Sequence, residues 1–320
     1  MHSFRASWRL YGRTDRVSRQ IFGVLAVLLP LLIWSSVSYL PFVWHPQIMI
    51  TDPGGEEYLE AGMRMNKSDF ARAVKEMQDQ HQAVPKGVAS NPVYLPSPGQ
   101  VLKAFVNAFT STASVGAEHS ILQAFWHSIR IIFWGFLISS VIGVPLGVFC
   151  GAIPALSRLL EPFVDFFRYL PAPAFGALAV AILGIYDAPK IAIIVIGTLF
   201  QQVLVIANTT RQLDFSLVEA SRTLGAKGFR LLFRVVIPGI LPDLYKDQRI
   251  LLGWAWTYLI VAELIGTSSG ITWFITQQAR YQHFDNVFAA IALIGVVGLG
   301  TDIVLGLLGR KLFTWKRENG

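Results

Sequence analysis

Residues 219–238 read Glu-Ala-Ser-Arg-Thr-Leu-Gly-Ala-Lys-Gly-Phe-Arg-Leu-Leu-Phe-Arg-Val-Val-Ile-Pro. This basic, amphipathic run lies between two apolar ones, and its reading decides what kind of chain this is. The sequence predicts a short helix with Glu219 near its start, where a carboxylate suits the helix dipole, and with Gly225 placed to end it. The chain then reverses. Phe229, Leu232, Phe233 and Val236 recur at helical spacing while Lys227, Arg230 and Arg234 stay polar, which suits a helix lying along the face of a bilayer. Pro238 and Pro242 are expected to limit that helix. From the residues alone two readings stand: a docking surface for a partner, or a basic interfacial helix that only anchors the loop.

Working outward, the flanks are membrane-like. The chain has 320 residues, 53% hydrophobic and 15% charged, with a positive mean hydropathy, which leaves too little polar surface for a soluble globular domain. About 20 apolar residues cross a hydrocarbon core, and windows of that size fall near 21–41, 127–151, 160–184, 189–208, 246–266 and 287–309. The expected fold is therefore an all-α integral membrane protein with about six transmembrane helices. The first run, Ile21 to Phe42, is longer than a signal-peptide core and no small-x-small cleavage site follows it, so a retained anchor is expected.

Charge sets the orientation. Arg5, Arg9, Arg13, Arg16 and Arg19 precede the first span, Arg211, Arg222, Lys227, Arg230 and Arg234 fill the long loop, and Arg310, Lys311, Lys316 and Arg317 follow the last. Six spans put all three clusters on one side, which the positive-inside rule makes cytoplasmic, termini included. The net charge of +7 then reflects topology and attraction to anionic membrane lipid, and no soluble basic domain suggests nucleic-acid binding.

This gives a basic N-terminus (1–20), a first span (21–42), a polar extracytoplasmic insertion (43–120), a core of five spans (121–310) with the loop 209–238, and a tail (311–320). Within the insertion, residues 66–80 read as an amphipathic helix with Phe70, Val74 and Met77 on one face, and Pro85, Pro92, Pro96 and Pro98 make an extended stretch. In the core, Gly143, Gly147 and Gly151 at four-residue spacing form a strip for close helix packing. Asp165 and Arg168, three apart, can pair on one helix face, and Pro171 and Pro173 interrupt the third span. A break at membrane depth is tolerated where protein or a water-filled cavity satisfies the freed backbone, so it is a candidate wall of a translocation path. Glu263 is functional by default in apolar surroundings, or else bonded to the backbone of the Gly266–Gly270 turn; Thr267, Ser268, Ser269 and Gly270 complete a candidate outer gate. Asp302 is expected to be satisfied by Arg310 and Lys311, and Cys150 to be a small buried side chain.

Enzyme chemistry has nothing to rest on. No Gly-x-x-x-x-Gly-Lys-Ser/Thr loop occurs, no Gly-x-Ser-x-Gly elbow, and the six histidines lack metal-binding spacing, so no catalytic residue, metal or cofactor is expected.

Four stretches resemble one family: Leu95 to Pro98, Leu160 to Pro173, Glu219 to Pro238, and Ala262 to Gly270. Glu219, Ala220, Ser221 and Gly225, with Val235, Ile237 and Pro238 beyond, resemble the cytoplasmic-loop signature of type I ABC importer permeases. The similarity spans about residues 93–317 and points to the branch for nitrate, sulfonates and taurine. Ser221 stands where the signature has a second Ala, and the 43–120 segment is longer than usual. The resemblance implies that residues 219–238 hold a coupling helix for a separate ABC ATPase. It further implies that two permease copies pair as a homodimer, that a periplasmic binding protein delivers substrate, and that alternating access moves it. A permease for another solute, such as a vitamin precursor, and a non-transporting membrane scaffold remain open at this stage.

Overall fold

The computed structural model describes residues 16–40, 43–54, 59–80, 83–110, 121–265 and 269–315. The chain divides into two compact units, Met1–Thr110 with Gln278–Ala289, and Ser111–Gln277 with Ala290–Gly320.

In the first unit, helix α1 (Arg16–Tyr39) is long and apolar enough to cross a membrane. A small antiparallel sheet follows, in the order β2-β1-β3, from β1 (Gln47–Asp52), β2 (Arg64–Asn66) and β3 (Lys86–Ser90). The sequence reading found the helix between β2 and β3, here α2 (Lys67–Asp79) with Met77 buried, but not the three short strands. Helix α3 (Pro98–Thr110) begins with a reciprocal cap: Ser97 N–H donates to Gln100 Oε1 (2.9 Å) and Gln100 N–H to Ser97 Oγ (3.4 Å). Trp34 Nε1–H donates to the Pro96 carbonyl (3.1 Å), tying the Leu95–Pro98 segment to α1.

The second unit is helical throughout its described residues: α4 (Ile121–Ala152), α5 (Pro154–Arg168), a 3-10 turn (Ala172–Phe175), α6 (Gly176–Leu183), α7 (Asp187–Arg211), α8 (Phe215–Thr223), α9 (Gly228–Leu231), a single π turn (Leu232–Val236), α10 (Ile237–Ile265), α11 (Ile271–Arg280) and α12 (Phe284–Leu312). The last two helices cross the boundary between units. Four described helices, α1, α4, α7 and α12, are long and apolar enough to span a membrane. The pair α5 and Ala172–Leu183, bent by 86°, makes a fifth candidate, and the break falls at the prolines where the sequence placed it. At 29 residues α10 is long enough to cross, but its first half carries Asp243, Lys246, Asp247 and Arg249.

The core of this unit is the seam between α4 and α7. A Cβ on Gly147 would come 2.8 Å from the Val203 carbonyl oxygen and 2.7 Å from Ile206 Cβ, and one on Gly151 would meet Thr210 and Ala207. Gly143 faces Gln202. The strip is longer than the three glycines named from sequence: Gly135 lies against Ile194, and Ser139, also on the four-residue spacing, donates to Gln202 Oε1 (2.6 Å). Cys150 is buried, packed with Val164, Val203 and Ala207.

Three expectations are corrected. Pro238 and Pro242 do not stop the helix, because the π turn runs directly into α10 with both prolines inside it. A widened turn takes the backbone out of the regular i to i−4 register just where Pro238 has no N–H to give. Glu219 is the fifth residue of α8, not near its start. Asp302 pairs with Arg249 on α10 (2.8 Å), since Arg310 lies about 12 Å further along its own helix at 1.5 Å per residue.

Candidate functional site

The loop between α7 and α10 is built from its caps. Asp214 is the N-cap of α8, accepting from the Ser216 N–H (3.0 Å), and that bond holds its carboxyl below the usual carboxylate range. Near the end, Ala220 O accepts from Leu224 N–H (3.2 Å), and Ser221 O from Ala226 N–H (2.9 Å). The chain can close this way because Gly225 sits at φ +86°, in the left-handed region. Ser221 spends its hydroxyl on the Leu217 carbonyl (2.7 Å), so the departure from Ala leaves no unsatisfied group.

No residue of α8 is buried. Leu224 is 88% exposed and Phe229 70%, and Phe229 stacks on Phe233 with ring centroids 6.3 Å apart. Glu219, Ala220 and Pro238 are exposed and Ile237 is half-buried. Beneath this open face the loop is firmly seated: Leu232, Val236 and Ile240 pack with Val148 of α4 and Ile206 of α7. The result is a short, capped, uncovered helix on a packed base.

At the other end of α10 lies a buried polar cluster. The Glu263 carboxylate accepts from the Thr272 N–H (2.8 Å) and is hydrogen-bonded to the hydroxyl of Ser128. Ser128 in turn accepts from the Ile271 N–H (2.8 Å). Gly270, at φ +105°, leaves room for that carboxylate, because a Cβ would run into it. Lys190, fully buried, donates to Ser269 Oγ (2.9 Å) and lies 3.7 Å from Asp187, which also bonds His127 (2.9 Å) and Arg130 (3.2 Å). Thr267 and Ser268 lie outside the described residues.

Sequence reasoning missed Ser128, Lys190 and Asp187. Asp187 and Lys190 are three apart at the start of an apolar run, the same signal that picked out Asp165 and Arg168, which also pair (2.7 Å). Near the break, Pro171 is exposed and Pro173 half-buried. Gly176 packs against Ile265, so the break and the Glu263 cluster meet the same end of α10. Between the two ends, Gln202 of α7 donates to Ser140 (3.0 Å) and Gln248 (3.1 Å), joining α4, α7 and α10. Among the described residues no group of His, Cys, Asp and Glu could hold a metal ion.

Comparison with known proteins gives a consistent result. Residues 143–314 match the family described as binding-protein-dependent transport system inner membrane component. The chain is 32% identical over 230 residues to a probable ABC transporter permease of Brucella abortus (strain 2308), covering 72% of this chain and 89% of that protein. It is 34% identical over 225 residues to the putative aliphatic sulfonates transport permease SsuC of Escherichia coli K12, covering 69% and 81%. Among solved structures, an inward-facing conformation of the MetNI methionine ABC transporter superposes with a TM-score of 0.55 at 20% identity, covering 64% of this chain and 100% of that one; this is a likeness of fold.

Proposed function

The chain belongs to the family of binding-protein-dependent transport system inner membrane components, and from that premise we propose that it carries a small anion, such as nitrate, taurine or another sulfonate, inward through the membrane. It is the permease subunit of an ABC importer and not an enzyme; a separate ATPase hydrolyses ATP and a binding protein delivers the substrate. The observation that carries the coupling role is the exposed α8, capped by Asp214 and closed by Gly225, on its packed base.

The mechanism follows from what is rigid. A push on α8 passes through the cluster around Leu232 and Ile240 to α7 and α10, which the glycine seam and Gln202 hold to α4. These helices move as one body. Helix α10 extends about 43 Å at 1.5 Å per residue, so a small rotation at the coupling end displaces the Glu263 cluster at the other. In this reading Glu219, Ala220, Ser221, Gly225, Ile237 and Pro238 form the coupling element. Pro171 and Pro173 line the path of a two-copy assembly. Glu263 braces an outer gate of Thr267 to Gly270, and access alternates by rigid-body rocking.

Orientation belongs to the same proposal: both termini and the 209–238 loop lie in the cytoplasm and the 43–120 insertion outside. Reconstitution with the ATPase and binding protein should give ATP-dependent uptake of labelled ethanesulfonate; absence of both uptake and co-purification with the ATPase would favour a scaffold. In a Cys150→Ser background, Ser90→Cys should react with an impermeant thiol reagent on intact cells and Ser216→Cys should not. The opposite pattern would invert the topology.

A further inference from the structure

Arg249 and Asp302 form an ion pair between α10, twelve residues from its start, and the candidate span α12, ten residues from its end. The guanidinium donates from Nε (3.1 Å) and Nη2 (2.8 Å) to Asp302 Oδ1, and from Nη2 to the Asp302 carbonyl (3.1 Å). Nη1 has no partner among the described residues. The Asp302 side chain is 53% exposed, and ionisable groups inside a span pair with one another and face protein or a water-filled cavity. Within the candidate span α12 this face is therefore one that meets water or protein.

Beside the pair runs a groove of about 350 Å3, lined among others by Gly253, Trp256, Ile294, Gly298 and Thr301, at the small end of the range for small-molecule sites. Glycine keeps it open. A Cβ at Gly253 or Gly298 would meet nothing within 4 Å, whereas Gly306 is needed to seat the Arg249 guanidinium, which lies 3.0 Å from a Cβ there. On the neighbouring residues of α10, Gln248 Oε1 accepts from Ser140 of α4 and Gln202 of α7, and Asp247 is bonded to Thr209. Arg249 is thus an oriented cation, with donor capacity left over, beside a groove between α10 and α12.

We propose that Arg249 is a transit subsite for the anionic group of the transported solute, a sulfonate or comparable oxyanion, with Asp302 holding the guanidinium in place when the groove is empty. The solute oxygens take hydrogen bonds from Nη1 and then displace Asp302 from its shared edge. Release restores the ion pair, so the anion is held weakly enough to leave. This rests on the anion-importer reading and assigns it a residue.

The test uses the complete complex in proteoliposomes, with Cys150→Ser and Gly298→Cys. A water-soluble, positively charged methanethiosulfonate should label Cys at 298, millimolar ethanesulfonate should slow the labelling, and an uncharged sulfone of similar size should not. Arg249→Gln should abolish the protection and lower the uptake rate about tenfold or more, the scale of one lost charge-assisted hydrogen bond. Asp302→Asn, which keeps an Oδ1 acceptor but removes the competing charge, should give protection at lower ethanesulfonate. The proposal is overturned if only a lipid-soluble maleimide labels position 298, if protection persists in Arg249→Gln, or if both pair variants reduce uptake while protection is unchanged. Protection by ethanesulfonate without ATP-driven uptake would instead count against the importer reading and leave the subsite standing.

Discussion

Glycine does opposite work in two regions of this protein. Along the α4–α7 seam it is required because something is too near: a Cβ on Gly147 would press on the Val203 carbonyl and Ile206. In the 209–238 loop it is required although nothing is near, since a Cβ on Gly225 would meet no atom within 4 Å and only φ +86° demands glycine. One region is closed and satisfied within the chain. The other is shaped without being covered, which is how a surface waiting for a partner differs from a surface that merely fell outside the core.

The contrast breaks most sharply at Gly147. Gly147→Leu forces a branched side chain into backbone that cannot move aside without parting two helices. Overpacking typically costs about 1–3 kcal/mol and occasionally more, against a total stability of roughly 5–15 kcal/mol. The expected outcome is little or no monodisperse protein on fluorescence-detected size exclusion. Wild-type yield and elution would mean that the seam is looser than these distances imply.

Gly225→Val should look different in kind. A left-handed backbone costs an L-residue about 1–2 kcal/mol, but here the strain falls on a cap that no core residue touches. The variant should elute and melt like wild type while ATP-driven uptake is lost, because α8 can no longer close on Ala226 and present the same face. Gly225→Asn should recover part of the uptake, since Asn tolerates this conformation. Normal uptake by Gly225→Val at wild-type expression would sink the coupling assignment.

Legibility in the sequence follows the same division. Features set by local chemistry could be read: the glycine spacing in α4, the proline break, the Gly225 turn and the helix 67–79 between the strands. Features set by a neighbouring helix could not. Asp302 was referred to cations on its own helix, yet its partner, Arg249, sits 53 residues earlier across a packed face. Glu219 took the dipole role that belongs to Asp214 because the helix start was placed too late. The strands of 43–90 escaped because β2 and β3 are three and five residues long and β1 ends in a bulge, too short for alternation to stand out.

The smallest expected effects concern Glu263, and they sharpen the comparison by asking whether the far end of α10 behaves like the seam or like the loop. Glu263→Leu leaves the buried Thr272 N–H without an acceptor, at about 1–3 kcal/mol for the stranded group, while Ser128 keeps the Ala124 carbonyl and the Ile271 N–H as partners. That is tolerable for folding, so the protein should assemble, with uptake reduced rather than abolished because the start of α11 at Thr272 is no longer held. Glu263→Gln should stay near wild type. Its amide oxygen can accept from Thr272 and its amide nitrogen can donate to Ser128 Oγ, whose own proton then goes to the Ala124 carbonyl, 3.1 Å away. Uptake and melting temperature measured side by side decide the matter. If Leu and Gln are equally impaired, the carboxylate charge matters in its own right and Glu263 does more than brace the turn; if neither changes uptake, the cluster is simply more core.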